Sequence, residues 1–269
     1  MPALVLIRGG GDLASGSALR LRRAGLPVLI TELATPLVVR RKVSFAEAVF
    51  AGAAEVESVT GRRVDSQDGI WDVLSNGEIA VLVDPAAEVI ETAQPAIIVD
   101  GRMLKVPPDP GLPPALLSIG LGPGFTAGVN CHVAVETRRG PSLGRLIWQG
   151  SPEVDTGIPE SVGSYGTERV LRAPVDGTLT TLAEIGDRLQ TGQPVAEVAG
   201  NIVAAPFQGV LRGLIHPGVR VTAGMKVGDV DPRNDPRLCF QVSDKALAVA
   251  GGVMEAIFST ESLRPLLWT

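Results

Sequence analysis

The first half of the chain alternates short apolar runs with stretches of helical spacing. ALVLIRG (3–9), LPVLITEL (26–33), EIAVLVDP (78–85), PAIIVDG (95–101) and ALLSIGLGPG (115–124) read as strands. Between the first two, Leu13, Ala14, Ala18 and Leu21 repeat at helical spacing, and Gly25 ends that helix. In SFAEAVFAG (44–52), Ser44 followed three residues later by Glu47 predicts a capping box opening a short helix. Strands that alternate with helices predict a Rossmann-like, mostly parallel sheet over residues 1–150. GVNCHVAVETRRGPSLGRLIWQG (128–150) alternates around Gly140 and Pro141, which predicts a hairpin at the sheet edge.

After residue 150 the pattern changes. Residues 151–167 are rich in Gly, Pro and Ser without apolar period, and read as a linker or an ordered active-site loop. A repeat follows: APVDGTLTTLAEIGDRLQTGQPV from Ala173 and APFQGVLRGLIHPGVRVTAGMKV from Ala205, offset by 32 residues. Pro174 matches Pro206, and Gly177, Gly186 and Gly192 match Gly209, Gly218 and Gly224. Halves that cannot bury their own faces predict an intertwined β-sandwich over 168–231. This half-motif resembles the lipoyl- and biotinyl-type barrel-sandwich hybrid, which implies an acceptor lysine on the hairpin between the halves. That hairpin, VAGNIVA (198–204), holds no lysine, and Lys226 lies late in the second half. No lipoyl or biotin group is therefore expected. Residues 232–269 form a helical tail with an apolar stripe at 247, 249, 253, 257 and 258, where either Ser243 or Asp244 stands at the capping position.

Composition narrows the classes. The chain has 269 residues, is 45% apolar and 20% charged, and carries a formal charge of −5, so a general nucleic-acid or anionic-membrane surface is not expected. No run approaches the roughly 20 apolar residues of a spanning helix. MPALVLI reads as a strand rather than a signal peptide, and Cys131 and Cys239 form no CxxC pattern. A cytoplasmic protein without a disulfide framework or zinc ribbon is expected.

Candidate chemistry gathers at two glycine loops. Gly9, Gly11 and Ala14 satisfy G-x-G-x-x-G/A directly after a strand, so Gly9, Gly10, Gly11, Asp12, Leu13 and Ala14 are candidates to cradle a phosphate at a helix N-terminus. Glu32 ends the next strand, about 20 residues on, where a carboxylate binds ribose hydroxyls. Asp12 stands where the anion would be; it caps the helix, or takes a donor from the ligand. Arg40 and Arg41 suit bidentate pairing with phosphate or carboxylate, or form a solvated charge run. A second loop, with Gly120, Gly122, Gly124, Thr126 and His132, reads as another wall of the same crevice. No metal-ligand spacing and no G-x-S-x-G elbow occurs, and no catalytic residue is assigned.

IRGGGDLASG, PLVVRRKVSFAEAVFAG, GLGPGFTAG, VETRRGPSLGRLIW, GDVDPR and SDKALAVAGGVMEAI together resemble the selenium-dependent molybdenum hydroxylase accessory proteins of the YqeB type. Their first domain is similar to the xanthine and CO dehydrogenase maturation factors. The resemblance implies that the chain holds a molybdenum cofactor (molybdopterin), or a related dinucleotide, and delivers it to a molybdenum hydroxylase partner. The anionic end of this phosphate-bearing cofactor would lie on the glycine and arginine residues. Two readings stand beside it: an NAD(P)-dependent oxidoreductase with Glu32 on the ribose, and a non-catalytic adaptor that docks the hydroxylase. Whether the chain is an enzyme, and whether it forms a homo-oligomer, stays open.

Overall fold

A computed structural model describes residues 2–104, 106–108, 111–155, 157 and 165–268. Residues 156 and 158–164 of the expected linker lie outside that set. The chain divides into two compact units. The first comprises Met1–Pro36, Ser44–Thr156 and Val242–Thr269; the second comprises Leu37–Val43 and Gly157–Gln241.

Among the described residues, the first unit is built on nine strands: β1 (Val5–Arg8), β2 (Val28–Glu32), β3 (Ala53–Val56), β4 (Val59–Val64), β5 (Ile79–Val83), β6 (Ile97–Asp100), β7 (Leu117–Leu121), β8 (Val133–Val135) and β9 (Leu146–Ile147). They lie in the order β3-β4-β5-β2-β1-β6-β7-β8-β9. The interior pairs from β4 to β8 are parallel, while β3 on β4 and β9 on β8 are antiparallel. The expected Rossmann-like, mostly parallel sheet is thus corrected to a large mixed sheet. The reason lies in the connections. β3 and β4 are joined by a two-residue turn, Glu57 and Ser58, both at positive φ, which returns the chain as a hairpin. The proline-rich connection from β6 to β7 and the glycine loop from β7 to β8 contain no helix among the described residues.

Among the described residues, five α-helices accompany the sheet: α1 (Asp12–Arg23), α2 (Ala48–Ala51), α3 (Asp68–Ser75), α4 (Ile90–Ala93) and α5 (Asp244–Ser259). Period-2 alternation turns Leu4, Leu6, Leu29, Leu82 and Ile98 to one face, where they pack with Ile70, Val73 and Leu74 of α3 and with Val89. On α5, Ser243 accepts a capping bond from the Ala246 N–H at 3.1 Å, and the helix packs along α1 and reaches β7 and β8. It supplies the cover that the helix-free β6–β7 and β7–β8 connections do not. Ser44 precedes a 3-10 turn, Phe45–Glu47, and its side chain makes no capping hydrogen bond to that turn. No helix among the described residues is long and apolar enough to cross a membrane.

The second unit contains β10 (Val170–Arg172), β11 (Gly177–Thr181), β12 (Arg188–Leu189), β13 (Pro194–Val198), β14 (Asn201–Ala204), β15 (Gly209–Leu214), β16 (Arg220–Val221) and β17 (Lys226–Asp231). They form two four-stranded sheets, β10-β17-β15-β12 and β14-β13-β11-β16. The 32-residue repeat is visible in the strands, since β11, β12 and β13 recur as β15, β16 and β17. Each half gives its two-residue strand to the other: β12 pairs with β15, and β16 with β11. Asp229 and Asp231 are buried on β17; Arg169 holds Asp229 at 2.8 Å, and Arg233 holds Asp231 at 2.6 Å.

The α1–α5 contact depends on a missing side chain. A Cβ on Gly16 would stand 2.8 Å from the Ala246 Cβ, closer than packed carbons approach. Gly16→Leu is expected to lower the unfolding free energy by about 1–3 kcal/mol in urea titrations. At Gly251, exposed on α5 with open space around it, Gly251→Ala is expected to stabilise by about 0.5–1 kcal/mol.

Candidate functional site

The loop after β1 is fixed by three backbone contacts. Gly9, at φ +87°, donates its N–H to the Thr31 carbonyl at 2.8 Å. Gly10 is buried, and a Cβ there would stand 2.8 Å from the Ala46 nitrogen. Its carbonyl accepts from Ala46 N–H at 3.0 Å and from the Ser15 hydroxyl at 2.9 Å, while Ser15 Oγ accepts from Phe45 N–H at 2.9 Å. The glycine requirement at Gly10 thus comes from the chain's own segment 44–46 packing on the loop. Gly11 precedes α1, Asp12 opens its first turn, and Leu13 and Ala14 follow within it. A carboxylate in that turn favours the helix dipole.

Glu32 ends β2 with its side chain buried. One carboxylate oxygen accepts from Gly10 N–H at 2.7 Å, and the other from its own neighbour's N–H, Leu33, at 2.7 Å. The residue expected on a ribose clasps the first glycine loop. Arg40 and Arg41 fold with the second unit. Arg40 donates to the carbonyls of Leu238 and Gln241, each at 3.0 Å, and Arg41 to that of Leu214 at 2.7 Å.

The second glycine loop is also shaped by packing. A Cβ on Gly120 would overlap the Phe125 ring. Gly122 and Gly124 have φ of +77° and +100°, the left-handed region that glycine enters without cost. Asn130 ties the loop internally: its Oδ1 accepts from Thr126 N–H at 2.8 Å, and its Nδ2 donates to the Gly124 carbonyl at 3.2 Å. Thr126 Oγ1 pairs with Ser151 Oγ at 2.8 Å. His132 is fastened to β7. The Ser118 N–H donates to His132 Nδ1 at 2.9 Å, so that nitrogen is an acceptor and also takes the Ser118 hydroxyl at 2.7 Å. The neutral ring then carries its proton on Nε2.

A cavity of about 240 Å³ lies beside β1, β6 and β7; the second glycine loop reaches it through Phe125, Asn130 and Cys131, whereas residues 9–14 of the first do not line it. Ile90, Ile98, Ile119, Leu112, Pro113 and Phe125 supply apolar wall. Arg8, Asp100, Ser118, Asn130 and Cys131 supply the polar part. Asp100 is buried at the end of β6, where Arg102 grips it with Nε at 3.0 Å and Nη2 at 2.6 Å; Arg8 approaches it at 3.8 Å. These three groups sum to one net positive charge. Arg8, Asp100 and Ser118 were not candidates from sequence. The available signal was a charged residue closing an otherwise apolar strand, in VLIR and IIVD. Burial pushes the Cys131 thiol up to about 11, against a hydrogen bond to Gly120 that lowers it, with the Asp100 charge raising it further. It is a protonated wall atom at neutral pH. Among the described residues, no group of three or more His, Cys, Asp or Glu is placed to hold a metal ion.

No protein-family model matches the chain. It is similar to the uncharacterized protein YqeB of Escherichia coli strain K12, at 41% identity over 254 residues, which is 94% of this chain. The chain spans about half the length of this curated relative, 47%. Solved structures with partial likeness include an aspartoacylase family protein from Mesorhizobium loti, at 9% identity and TM-score 0.27, covering 85% of this chain and 84% of that one. A succinylglutamate desuccinylase/aspartoacylase from Rhodobacter sphaeroides gives 15% identity and TM-score 0.27, with 87% of each chain covered. The ectoine utilization protein EutE from Ruegeria pomeroyi gives 13% and 0.24, covering 85% of this chain and 57% of that one. None of these solved structures is named as a lipoyl or biotinyl carrier or as a molybdenum hydroxylase factor. The expected barrel-sandwich hybrid and the expected role in selenium-dependent molybdenum hydroxylase maturation, with its oxidoreductase and adaptor alternatives, are corrected accordingly. The overlap is too slight to carry the names of these enzymes to this chain.

Glu32→Ala removes both acceptors from a buried loop and is expected to cost about 2–4 kcal/mol of stability, with Glu32→Gln losing less, in denaturant titrations. The Cys131 thiol ionises at about 9 in the unfolded chain and about 11 in the folded one. Its contribution to stability is complete below pH 9 and is lost as pH rises through 11. At pH 8 native Cys131 is expected to resist iodoacetamide, as read by intact mass, until the protein is unfolded.

Proposed function

We propose that the chain is a small-molecule-binding protein whose ligand occupies the cavity beside β1, β6 and β7. The observation that carries this reading is the cavity itself, about 240 Å³ of mostly apolar wall with Arg8, Asp100, Ser118 and Asn130 among its lining. Sites for drug-sized ligands run to roughly 300–1,000 Å³ and share this division between apolar walls and a few converging polar groups. A cavity below that range suits a compact molecule such as a single ring with one substituent. Arg8 and Asp100, the last residues of the parallel strands β1 and β6, line it, and open α/β sheets hold ligands at the carboxyl ends of their strands.

The reading is tested with neutral compact probes, benzyl alcohol and indole, by calorimetry and by the thermal midpoint. Saturable binding is expected, and Ile98→Phe, which fills the cavity from its wall, is expected to weaken it at least about tenfold. Leu112→Trp fills the same space from the rim and serves where Ile98→Phe does not fold. Binding that both filled variants leave unchanged overturns the reading, as does no saturable binding of either probe.

A further inference from the structure

A second cavity of about 240 Å³ lies by the amino ends of the parallel strands β4 and β5, at the opposite edge of the sheet from Arg8 and Asp100. Three segments of the first unit meet there. Arg22 and Arg23 come from the last turn of α1, Ser58 and Thr60 from the β3–β4 hairpin, and Gly77 and Glu78 from the approach to β5. Among the described lining residues only Val59 has an apolar side chain. Charge and hydrogen bonds, rather than apolar burial, therefore decide what fits.

The carboxylates at this cavity are matched by the protein's own donors. Glu78 gives both oxygens to Arg62, with Nη2 on Oε1 at 2.7 Å and Nε on Oε2. Glu57, next to Ser58 in the turn, accepts from the Val242 N–H at 2.9 Å with one oxygen and from Arg23 Nη1 at 3.2 Å with the other. Arg22 is different. Its Nε donates to the Gly77 carbonyl at 2.6 Å, and among the described residues its two terminal nitrogens have no partner. The Ser58 and Thr60 hydroxyls likewise make no hydrogen bond among the described residues. Arg22, Arg23 and Arg62 stand against Glu57 and Glu78, so one positive charge is left over, and it is that of Arg22.

The Arg22 guanidinium is also held in place. A Cβ on Gly77 would stand 2.7 Å from its Nη2, so glycine at that turn is what admits it. Basic residues in a last helical turn suit the helix dipole. Here the carbonyls of Arg20, Leu21 and Arg22 already accept from the N–H groups of Ala24, Leu26 and Gly25, and the dipole accounts for neither hydroxyl.

We infer that this second cavity binds a phosphate group, with Arg22 giving charge-assisted hydrogen bonds and Ser58 and Thr60 each giving a hydroxyl to other oxygens. A tetrahedral anion offers oxygens in several directions, as donors from a helix end and a hairpin require. A planar carboxylate does not.

The probes are inorganic phosphate, methyl phosphate and acetate, measured by calorimetry on the full chain at pH 8 and constant low ionic strength. Saturable phosphate binding is expected, at least about tenfold tighter than acetate. Arg22→Gln, which keeps a donor for the Gly77 carbonyl, is expected to weaken phosphate at least about tenfold. Ser58→Ala and Thr60→Val are each expected to weaken it about threefold. Arg20→Gln, on the same helix end but outside the cavity lining, is expected to leave it within about twofold. Methyl phosphate binding beside phosphate supports a phosphate monoester as the ligand, and phosphate binding alone supports the free ion. No saturable phosphate binding, acetate as tight as phosphate, or an equal loss in Arg20→Gln and Arg22→Gln overturns the inference. Where Arg22→Gln does not fold, phosphate binding unchanged in both Ser58→Ala and Thr60→Val overturns it.

Discussion

A buried carboxylate clasps the first glycine loop. Glu32, at the end of β2, reaches back to the N–H of Gly10 and simultaneously takes the N–H of Leu33. Burying a carboxylate is costly unless its oxygens are matched by donors, and here two backbone N–H groups match them at 2.7 Å. The consequence spreads along the chain. With Gly10 held from one side, its carbonyl is left to accept from Ala46 and Ser15, and Ser15 in turn receives Phe45. The start of α1, the segment 44–46 and the end of β1 are fixed together. Arg8, one residue before this assembly, inherits its direction from it, and its carbonyl is tied to the N–H of Gly101 at 2.9 Å.

That clasp also explains why the glycine pattern reads differently in sequence and in structure. Gly10 is demanded by the approach of Ala46, Gly101 by Ala14, and Gly120 by the Phe125 ring. Each would arise in a tightly packed strand-to-helix or strand-to-loop turn with or without a phosphate. Spacing alone does not distinguish a backbone that approaches a ligand from one that approaches its own chain. The strands themselves were legible, because a strand buried on both faces writes a continuous apolar run: VLIR, VLITE, IAVLV, IIVD and LSIGL all stand at the positions those runs mark. The β3–β4 hairpin was not. Its turn is Glu57 and Ser58, without the Asn or Gly that announces positive φ, and its strands carry Glu55, Arg62 and Arg63 toward solvent.

The same limit applies to the site. His132 stood out in sequence because histidine is rare in this chain, yet its Nδ1 is occupied with Ser118 in fastening β8 to β7. Arg8 and Asp100 passed unmarked because each ends an apolar run, where a polar residue commonly meets solvent. Parallel pairing changes that expectation. β1 and β6 are neighbours with Arg8 opposite Asp100 in register, so two strand ends that look separately solvated in sequence lie side by side.

The carboxylate of Asp100 is matched first from its own neighbourhood. Arg102, two residues further along the same chain, closes on it through a short local loop, and little chain entropy is spent in bringing the pair together. Arg8 comes from a separate strand and approaches to 3.8 Å. Parallel pairing of β1 with β6 therefore sets a second guanidinium beside a carboxylate that already has a forked partner, and the strand register, rather than a direct contact, fixes where that second charge stands.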